Sequence, residues 1–409
     1  MTDLLALSLF LAASAVIIYH HVGYPVVSKL LALSNTDDLP SFYHRHYRVT
    51  PLDHMLPRIC LVMPGYNEEA CIQEKIRNLA CIDYPEDKLH IVIYCDGCTD
   101  DTALLARRTL QEPECQHLQS TVVEKTINCG KVAVLNKAIS LCHCDVIALS
   151  DVSALLSIDC LLITAAQLSN DKTGVVCGSY HFLHSLSVGE QAYWYYQRKI
   201  KAQESAAGAT LGVHGAFYAF RKELFEKLPS DTINDDFTLP ISIVMKGYQC
   251  LYDPRITTLE LEQACIDMDF RRRQRIACGN VQQAIRHIGL LHPRFGKIAL
   301  NFLSGKFLRP FISIFLLVVL LTSVELARTF ALFQIILVAQ LIAYGMTFYY
   351  LTASRQPTQK PLKIFYYILS GHVAMAFGLI RYITGYKAGE WGKIKQKQQG
   401  SHRTKGVPR

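Results

Sequence analysis

The stretch Ile59-Cys-Leu-Val-Met-Pro-Gly-Tyr-Asn-Glu68 decides the fold of this chain. Its first five residues are all apolar, as in a strand that is buried on both faces of a parallel sheet. A polar turn follows at the point where such a strand would end. Further strands are predicted at His90–Cys95, Ser120–Val123 and Asp145–Leu149.

Helices are predicted between these strands, beginning after Asn67, near Asp100 and at Lys131–Leu141. Asn67 is a residue type that can cap the first of them. The alternation predicts an α/β fold with a doubly wound, mostly parallel sheet. In such sheets ligands bind beyond the carboxyl ends of the strands, so the residues after each strand form the candidate site.

Three short segments occupy those positions: Pro64–Glu68, Asp96–Gly97 and Asp151–Ser153. Acidic residues together with a glycine-containing turn suit a phosphorylated ligand and its counter-ion. Taken singly, each segment is better explained as turn residues and helix caps than as a functional site. Their recurrence at successive strand ends favours a binding site.

Hydrophobic residues make up 50% of the 409 residues and are concentrated at the two ends of the chain. Residues 1–35 are predicted to be an N-terminal transmembrane anchor, because Leu4–Leu33 is mostly apolar. Basic residues follow this stretch, and none precedes it. The charge bias predicts an integral inner (plasma) membrane protein with its next domain in the cytoplasm.

A cytoplasmic domain is predicted at 55–290, followed by an interfacial amphipathic helix at 291–309. A C-terminal transmembrane region at 310–385 and a basic cytoplasmic-type tail at 386–409 complete the prediction. Spans are predicted at Pro310–Leu326, Phe330–Leu351 and Ile364–Ile383. Three spans would leave the basic tail outside, against the positive-inside rule. The last segment is therefore alternatively re-entrant or interfacial.

The net charge of +8 and the basic tail favour attraction to anionic lipid headgroups. Nucleic acid is not an expected partner, since no nucleic-acid motif is present. The 14 cysteines have no regular framework, which favours reduced cytoplasmic thiols. An alternative is a zinc site that combines the Cys95-x-x-Cys98 pair with the segment Cys142-His143-Cys144.

Taken together, the strand-end motifs resemble the membrane-bound family 2 glycosyltransferases, which have a GT-A fold and are related to processive polysaccharide synthases. The resemblance runs from about Arg58 to Ala284. Its blocks, in the family's order, are Pro64-Gly-Tyr-Asn-Glu-Glu69, Asp96-Gly-Cys-Thr-Asp-Asp-Thr102, Gly130-Lys131, Leu135-Asn136, Asp151-Val-Ser153, His214-Gly-Ala216 and Asn234-Asp-Asp236.

The resemblance implies a nucleotide-sugar site. Tyr66 and Glu68 match positions that line the nucleoside pocket, and Asp96 matches the residue that accepts a hydrogen bond from the base. A carboxylate suits that role because it is acceptor-only when ionised. Lys131 matches a cation near the nucleotide, and its alternative is a solvated helix start.

Asp151 matches the first acid of the family's D-x-D motif, which binds a divalent Mg²⁺ or Mn²⁺ ion that bridges the diphosphate. The second acid is replaced by Ser153. A hydroxyl is also a hard ligand, but it is weaker than a carboxylate. The resemblance therefore implies a metal site at Asp151 and Ser153 with reduced affinity.

Asp235 and Asp236 match the family's acidic pair, with Asp236 in the position of the catalytic base. Inverting transfer needs a base to take the acceptor proton as the sugar carbon is attacked. The alternative is a helix cap before Phe237–Met245.

Arg273 and Arg275 fall where processive members carry Gln-Arg-x-Arg-Trp, and there they would clamp the diphosphate. The glutamine is replaced by Arg272 and the tryptophan by Ile276. Loss of the stacking tryptophan weakens the case for processive synthesis. A basic stripe facing lipid headgroups is the alternative for these arginines.

These residues predict an inverting glycosyltransferase, a hexosyl- or N-acetylhexosaminyl-transferase of cell-surface polysaccharide synthesis. Its expected partners are a nucleotide-sugar donor, a glycan or polyprenyl-linked acceptor, and membrane lipids. The alternative is a non-catalytic membrane scaffold that retains the fold, which only Ser153 favours. A chain that had lost turnover would have no reason to keep the acids and the arginines together.

Overall fold

A computed structural model describes residues 2–33, 39–183, 188–261, 266–353 and 357–385. The described residues form two compact units. A helical unit takes those within 1–36, 185–207 and 264–386, and an α/β unit takes those within 37–184 and 208–263. The predicted basic tail, 386–409, lies outside the described residues.

The α-helices of the described residues are α1 Thr2–Ile18, α2 Tyr24–Ala32, α3 Ile72–Ala80, α4 Thr102–Thr109, α5 Lys131–Leu141, α6 Cys160–Leu168, α7 Val188–Ala206, α8 Asp235–Met245, α9 Ile266–Arg286, α10 Lys297–Phe302, α11 Ile312–Leu326, α12 Ala331–Thr352 and α13 Lys360–Ile383. The strands are β1 Ile59–Gly65, β2 Leu89–Asp96, β3 Ser120–Lys125, β4 Val146–Leu149, β5 Ala154–Leu156, β6 Thr173–Phe182, β7 Tyr218–Arg221 and β8 Gln249–Glu260.

All eight strands lie in one sheet of order β3-β2-β1-β4-β7-β6-β8-β5. The half from β3 to β4 is parallel, and in it β1 pairs with both β2 and β4. β7 runs antiparallel to β4 and to β6, β6 and β8 are parallel, and β5 is antiparallel to β8. The predicted doubly wound, mostly parallel sheet is confirmed, with antiparallel strands added on one side.

The predicted strands and helices of the parallel half are confirmed to within a few residues, and the α5 bounds agree at both ends. The predicted cap is wrong. The helix after β1 begins at Ile72, with Cys71 at the N-cap position, whereas Asn67 has a left-handed φ of 54°. The side chain of Asn67 instead contacts the loop after β2, where its Oδ1 accepts a hydrogen bond from the Thr99 amide at 2.8 Å.

β1 lies in the centre of the core of the α/β unit. Its residues Ile59–Met63 are all fully buried, which agrees with a strand covered on both faces. Ile72, Ile76 and Leu79 place the apolar face of α3 in the same core. This packing fixes the edge of the sheet at which β1, β2 and β4 all end.

In the helical unit, α1 and α11 lie antiparallel. Thr329 Oγ1 donates to Asp3 Oδ2 at 3.4 Å at one end of the pair, and Tyr19 Oη lies 2.7 Å from Ser304 Oγ at the other. In the part of the chain that the structure describes, four helical stretches are long and apolar enough to cross a membrane: Asp3–Ala32, Lys297–Leu326, Ala331–Thr352 and Lys360–Ile383. A membrane protein is therefore indicated.

The predicted amphipathic helix at 291–309 is not one continuous helix. Short 3₁₀ turns at Ile288–Leu291 and Pro293–Phe295 precede α10, and a π-helical turn at Leu303–Phe307 follows it. Gly296 adopts a φ of 52° between the second turn and α10, a conformation that interrupts a helix. Interfacial placement of this segment stays a prediction.

A buried ion-pair network joins the start of the α/β unit to the loop before β2. Arg45 pairs with Asp53 and Asp83, each at 2.9 Å, and the Arg45 side chain is 8% exposed. Hydrogen bonds from Arg45 lower the pKa of Asp53 to about 2. Because these charges are buried, each depends on its partner to offset lost hydration.

We expect Arg45→Met to lower the free energy of unfolding by about 3 kcal/mol, because it leaves the Asp83 carboxylate buried without its cation. Arg58→Met is the matched control, since Arg58 and Asp145 form a pair at 3.6 Å whose side chains are 62% and 53% exposed. The control should cost at most about 1 kcal/mol. Denaturant unfolding of the detergent-solubilised variants measures both values, and equal losses would contradict the network's role.

Candidate functional site

The candidate site is assembled where β1, β2 and β4 end, from loops that are hydrogen-bonded to one another. The Asp151 amide donates to the Gly215 carbonyl at 3.1 Å, and the Val213 amide donates to the Asp236 carbonyl at 3.0 Å. The loop after β4, the loop before β7 and the start of α8 are thereby connected.

Lys131, the first residue of α5, is the cation at the centre of this site. Its Nζ lies 3.1 Å from Asp151 Oδ1 and 3.4 Å from Asp235 Oδ2. Burial lowers the pKa of Lys131, but the carboxylates of Asp151, Asp235 and Asp236 outweigh burial and raise it above the ordinary value. The ammonium group stays charged and holds together acids that come from separate loops.

Asp235 and Asp236 form the first turn of α8, and Asn234 precedes them without a side-chain capping bond. Carboxylates are stabilised at a helix N-terminus by the exposed amides and the helix dipole. Asp235 Oδ2 is buried and, among the described residues, has no hydrogen-bond partner besides its ion pair with Lys131. The acidic pair is thus inside the helix and not a cap before it.

Asp96, at the end of β2, is 2% exposed and holds the loop that leads into α5. Its carboxylate accepts from the Cys129 amide at 3.0 Å and from the Gly130 amide at 2.8 Å. Lys131 directly follows these two residues, so the bonds to Asp96 fix the position of its backbone. An ionised carboxylate has acceptor sites beyond those two bonds. Acceptance from a base therefore stays a prediction.

Two glycines are required by close contacts in this region. Gly97 has a φ of 64°, and a Cβ built there would lie 2.3 Å from the Asn128 nitrogen. A Cβ at Gly215 would lie 2.7 Å from Asp151 Oδ2. Both glycines therefore let backbone or carboxylate approach where any side chain would collide.

Tyr66 and Glu68 lie in the loop after β1. Tyr66 is 1% exposed, and the Glu68 amide donates to Thr102 Oγ1 at 2.8 Å. This bond ties the loop after β1 to the start of α4. Contact of either residue with a nucleoside stays a prediction.

Ser153 is 8% exposed and its carbonyl accepts from the Leu261 amide at 2.9 Å. No group of three or more His, Cys, Asp or Glu side chains in the described residues is arranged to hold a metal ion by itself. Magnesium-type ions at phosphate sites commonly use one or two carboxylates and take their other ligands from phosphates and water. Asp151 fits such a site, and Asp235 Oδ2 lies close to the same lysine ammonium group.

Arg273 and Arg275 lie on α9, in the helical unit. The Arg273 guanidinium lies 4.0 Å from the centre of the Tyr367 ring, a cation–π contact. Their contact with a diphosphate stays a prediction. The cysteines of the alternative zinc site are free thiols, and Cys60 Sγ contacts Cys142 Sγ at 2.8 Å.

Lys75 is a residue of this site that the sequence analysis missed. It lies on the buried face of α3, is 0% exposed, and its Nζ donates to Ser150 Oγ at 2.7 Å and to the Ala154 carbonyl. Ser150 Oγ in turn donates to the Ala216 carbonyl at 2.7 Å. Lys75 therefore holds both ends of the turn that carries Asp151. In the sequence, Lys75 is marked only by its helical spacing from Ile72, Ile76 and Leu79, which places it on the buried face of α3.

Tyr218 on β7 was missed as well. It is 1% exposed and lines the same small cavity as Lys131, Asp151 and Asp235. Burial, and then the charges of Asp235, Asp236 and Asp151, raise the pKa of its hydroxyl well above the usual value. Among the described residues this hydroxyl has no hydrogen-bond partner, so it is available to a bound molecule or water.

Comparison with family models identifies the chain. Residues 60–229 match the model described as glycosyl transferase family 2, and residues 146–364 match glycosyl transferase family group 2. The chain belongs to the family 2 glycosyltransferases. It is therefore a glycosyltransferase enzyme, and the predicted resemblance is confirmed.

Curated relatives of this family 2 glycosyltransferase are distant. A probable glycosyltransferase of Bacillus subtilis, YdaM, is 24% identical over 55% of this chain and 56% of its own. A poly-β-1,6-N-acetyl-D-glucosamine synthase of Staphylococcus epidermidis is 25% identical over 56% of each chain. A β-monoglucosyldiacylglycerol synthase of Nostoc sp. is 22% identical over 52% of this chain and 47% of its own. The chain spans about half the length of these relatives.

A mannosyltransferase of Pyrobaculum calidifontis, solved in complex with GDP-Man and Mn²⁺, shares the fold. The TM-score is 0.69 at 23% identity, over 92% of this chain and 99% of that one. The likeness confirms the GT-A type of fold that the sequence predicted. That structure contains a divalent ion, Mn²⁺.

We expect Lys75 to give stability a distinctive pH dependence, since burial lowers its pKa from 10.5 to about 7. The charges of Cys160, Asp151 and Glu260 act in the opposite direction and raise it. Between about pH 7 and about pH 10 the unfolded chain binds a proton at this lysine that the folded chain does not, so its contribution to stability rises with pH.

Thermal unfolding of the wild type and Lys75→Met across this window measures the effect as the difference between their melting temperatures. The wild type should gain on the variant as the pH rises. Lys137→Met, an exposed change on α5, is the control and should follow the wild type at every pH. Parallel curves for Lys75→Met and the wild type would disprove the assignment.

Proposed function

We propose that this family 2 glycosyltransferase moves a hexosyl or N-acetylhexosaminyl group, with inversion, from a nucleotide-sugar donor to a glycan or polyprenyl-linked acceptor. The observation that carries the proposal is the cation–carboxylate arrangement of Lys131, Asp151 and Asp235, with Asp236 in the same helical turn. It provides a positive charge for a diphosphate and a separate carboxylate for the acceptor.

In this proposal the donor nucleoside lies against Tyr66 and Glu68, and Asp96 accepts from the base. Lys131 is available to the diphosphate because its ammonium group contacts two carboxylates, and a phosphate oxygen can replace one of them. Arg273 and Arg275 would add charge-assisted bonds to the same diphosphate. These contacts position the sugar carbon and favour departure of the nucleotide.

Asp236 is the proposed general base. The acceptor hydroxyl loses its proton to this carboxylate as its oxygen bonds to the sugar carbon, and the bond from that carbon to the donor phosphate breaks. The nucleoside diphosphate leaves with the bonding electron pair. Asp235 is paired with Lys131, and the proton transfer is assigned to Asp236, which follows it in the same helical turn.

Asp151 and Ser153 are the proposed ligands of a Mg²⁺ or Mn²⁺ ion together with donor phosphates and water. Such an ion, when bound, neutralises negative charge on the leaving diphosphate. The Mn²⁺ in the Pyrobaculum calidifontis mannosyltransferase supports this choice. Lys131 would share the same diphosphate charge with it.

The proposed setting is the inner (plasma) membrane, with the α/β unit in the cytoplasm, where nucleotide sugars are available. The charge bias around residues 1–35 and the candidate spans support it. The names of the curated relatives, a polysaccharide synthase and a glycolipid synthase, support a product of the cell surface. The replacement of the stacking tryptophan by Ile276 favours short products.

Asp236→Asn is expected to reduce transfer by about a hundredfold or more while donor binding is retained, because the base acts only as the acceptor attacks. Transfer is measured as nucleotide release by the membrane-reconstituted enzyme, and binding is measured separately by calorimetry. Asp171→Asn is the control, since the Asp171 side chain is fully exposed. Near-normal turnover of the Asp236 variant would remove it from the mechanism.

The replaced acid predicts a weak metal requirement. Activity should depend on millimolar divalent ion, and Ser153→Asp should reduce the half-saturating concentration by about tenfold because a carboxylate is a stronger ligand than a hydroxyl. A manganese titration of nucleotide release tests both expectations. Full wild-type activity in excess chelator would show that the lysine and arginines suffice without an ion.

A further inference from the structure

The helical unit contains a polar cluster at one end of its antiparallel α1–α11 pair. Its members are His20, His21, Arg309 and His372, contributed by the π turn after α1, the 3₁₀ turn before α11, and the middle of α13. His21 Nε2 lies 3.1 Å from His372 Nε2, and His20 Nδ1 lies 3.0 Å from the Ser304 carbonyl. The proposed transfer chemistry uses none of these side chains.

The depth of this cluster follows from the length of α1. Asp3 contacts Thr329 at one end of the pair, and Tyr19 contacts Ser304 at the other. The intervening residues of α1 carry no charged side chain. At 1.5 Å per residue, the contacts are separated by roughly 24 Å, close to the ~30 Å thickness of a bilayer's hydrocarbon core. With the Asp3–Thr329 contact at one boundary of the hydrocarbon core, this separation places the cluster near the other boundary.

Arg309 is the member whose surroundings call for a ligand. Its guanidinium donates to Tyr193 Oη at 2.9 Å and lies 5.8 Å from the centre of the same ring. Within the described part of the chain, no carboxylate lies within ion-pair distance of this guanidinium. Glu204, an acid of this region, is 1% exposed and accepts from Tyr24 Oη at 2.6 Å. A partly buried cation without an ion pair is costly at the edge of a hydrocarbon layer.

His372 provides a second, independent observation. Its Nε2 is engaged by His21, whereas its Nδ1 is buried and has no hydrogen-bond partner among the described residues. The guanidinium of Arg309 is within electrostatic reach of His20, His21 and His372. A neutral imidazole donates through one nitrogen, so this group of side chains offers donors and positive charge together.

We propose that Arg309, His21 and His372 bind the phosphate group of a lipid at the boundary of the bilayer. The arginine fork matches two phosphate oxygens, and an imidazole N–H supplies a further donor. The anion would offset the charge that the described residues leave unpaired, and the lipid chain would remain in the hydrocarbon beside α1 and α13. The inference does not depend on the transfer reaction.

The test uses the full chain in nanodiscs of zwitterionic phosphatidylcholine, with native mass spectrometry of bound lipid as the readout. The probes are a polyprenyl phosphate, phosphatidylglycerol, the uncharged polyprenol and inorganic phosphate. The two lipid phosphates should bind, and whichever binds tighter identifies the source of the phosphate. Polyprenol that binds as tightly as polyprenyl phosphate would overturn the proposal, and so would inorganic phosphate that binds as tightly as either lipid.

Arg309→Gln should weaken lipid-phosphate binding about tenfold or more, since a charge-assisted bond is lost. His372→Ala should weaken it several-fold, and Arg309→Lys should fall between Arg309→Gln and the wild type because it keeps the charge without the fork. Arg328→Gln is the control, because Arg328 follows the far end of α11, is 72% exposed and pairs with Glu325 at 2.9 Å.

Nucleotide binding by each variant shows that it has folded, and it is read separately from lipid binding. Should Arg309→Gln fail to fold, the Arg309→Lys and His372→Ala variants carry the test. Equal lipid binding by the Arg328 variant and by all cluster variants that fold would disprove the site. Loss of transfer without loss of lipid binding would concern the proposed function and not this inference.

Discussion

The site of this glycosyltransferase depends on one ammonium group, that of Lys131. It lies between Asp151, which follows β4, and Asp235, which begins α8. Without a cation the two carboxylates would repel each other in a partly buried space. The position of the lysine is in turn fixed by Asp96, whose carboxylate holds the loop before α5. The diphosphate of the proposed donor would therefore meet a charge arrangement that the protein has already organised.

Burial of polar groups supports this arrangement from below. Lys75 is fully buried under the turn that carries Asp151, and it donates hydrogen bonds to Ser150 Oγ and to the Ala154 carbonyl. Burying an ammonium group costs free energy, and here its hydrogen bonds offset that cost while they fix the geometry of the turn. The family models that match the chain show that it belongs to the family 2 glycosyltransferases, and sugar transfer is the chemistry proposed for this geometry.

In the helical unit, charged side chains are few within the helices that are apolar enough to lie in a bilayer. Its spans are apolar along most of their length, and the cluster of His20, His21, Arg309 and His372 lies at the end of the α1–α11 pair where Tyr19 contacts Ser304. Arg309 and His372 are unusual in this setting because one lacks a carboxylate and the other has an unbonded buried nitrogen among the described residues. In hydrocarbon such groups point to a ligand, whereas in water they would carry no such meaning.

The sequence by itself determined the parallel half of the sheet, because wholly apolar strands, such as Ile59–Met63, alternate with helices at a fixed spacing. It also determined the family and the candidate residues at the strand ends. Only the tertiary structure decided that Asn67 does not cap α3, that Asp235 begins a helix, and that Lys75 and Tyr218 belong to the site. The reason is physical: these outcomes depend on contacts between residues far apart in the chain, and local patterns carry no information about such contacts.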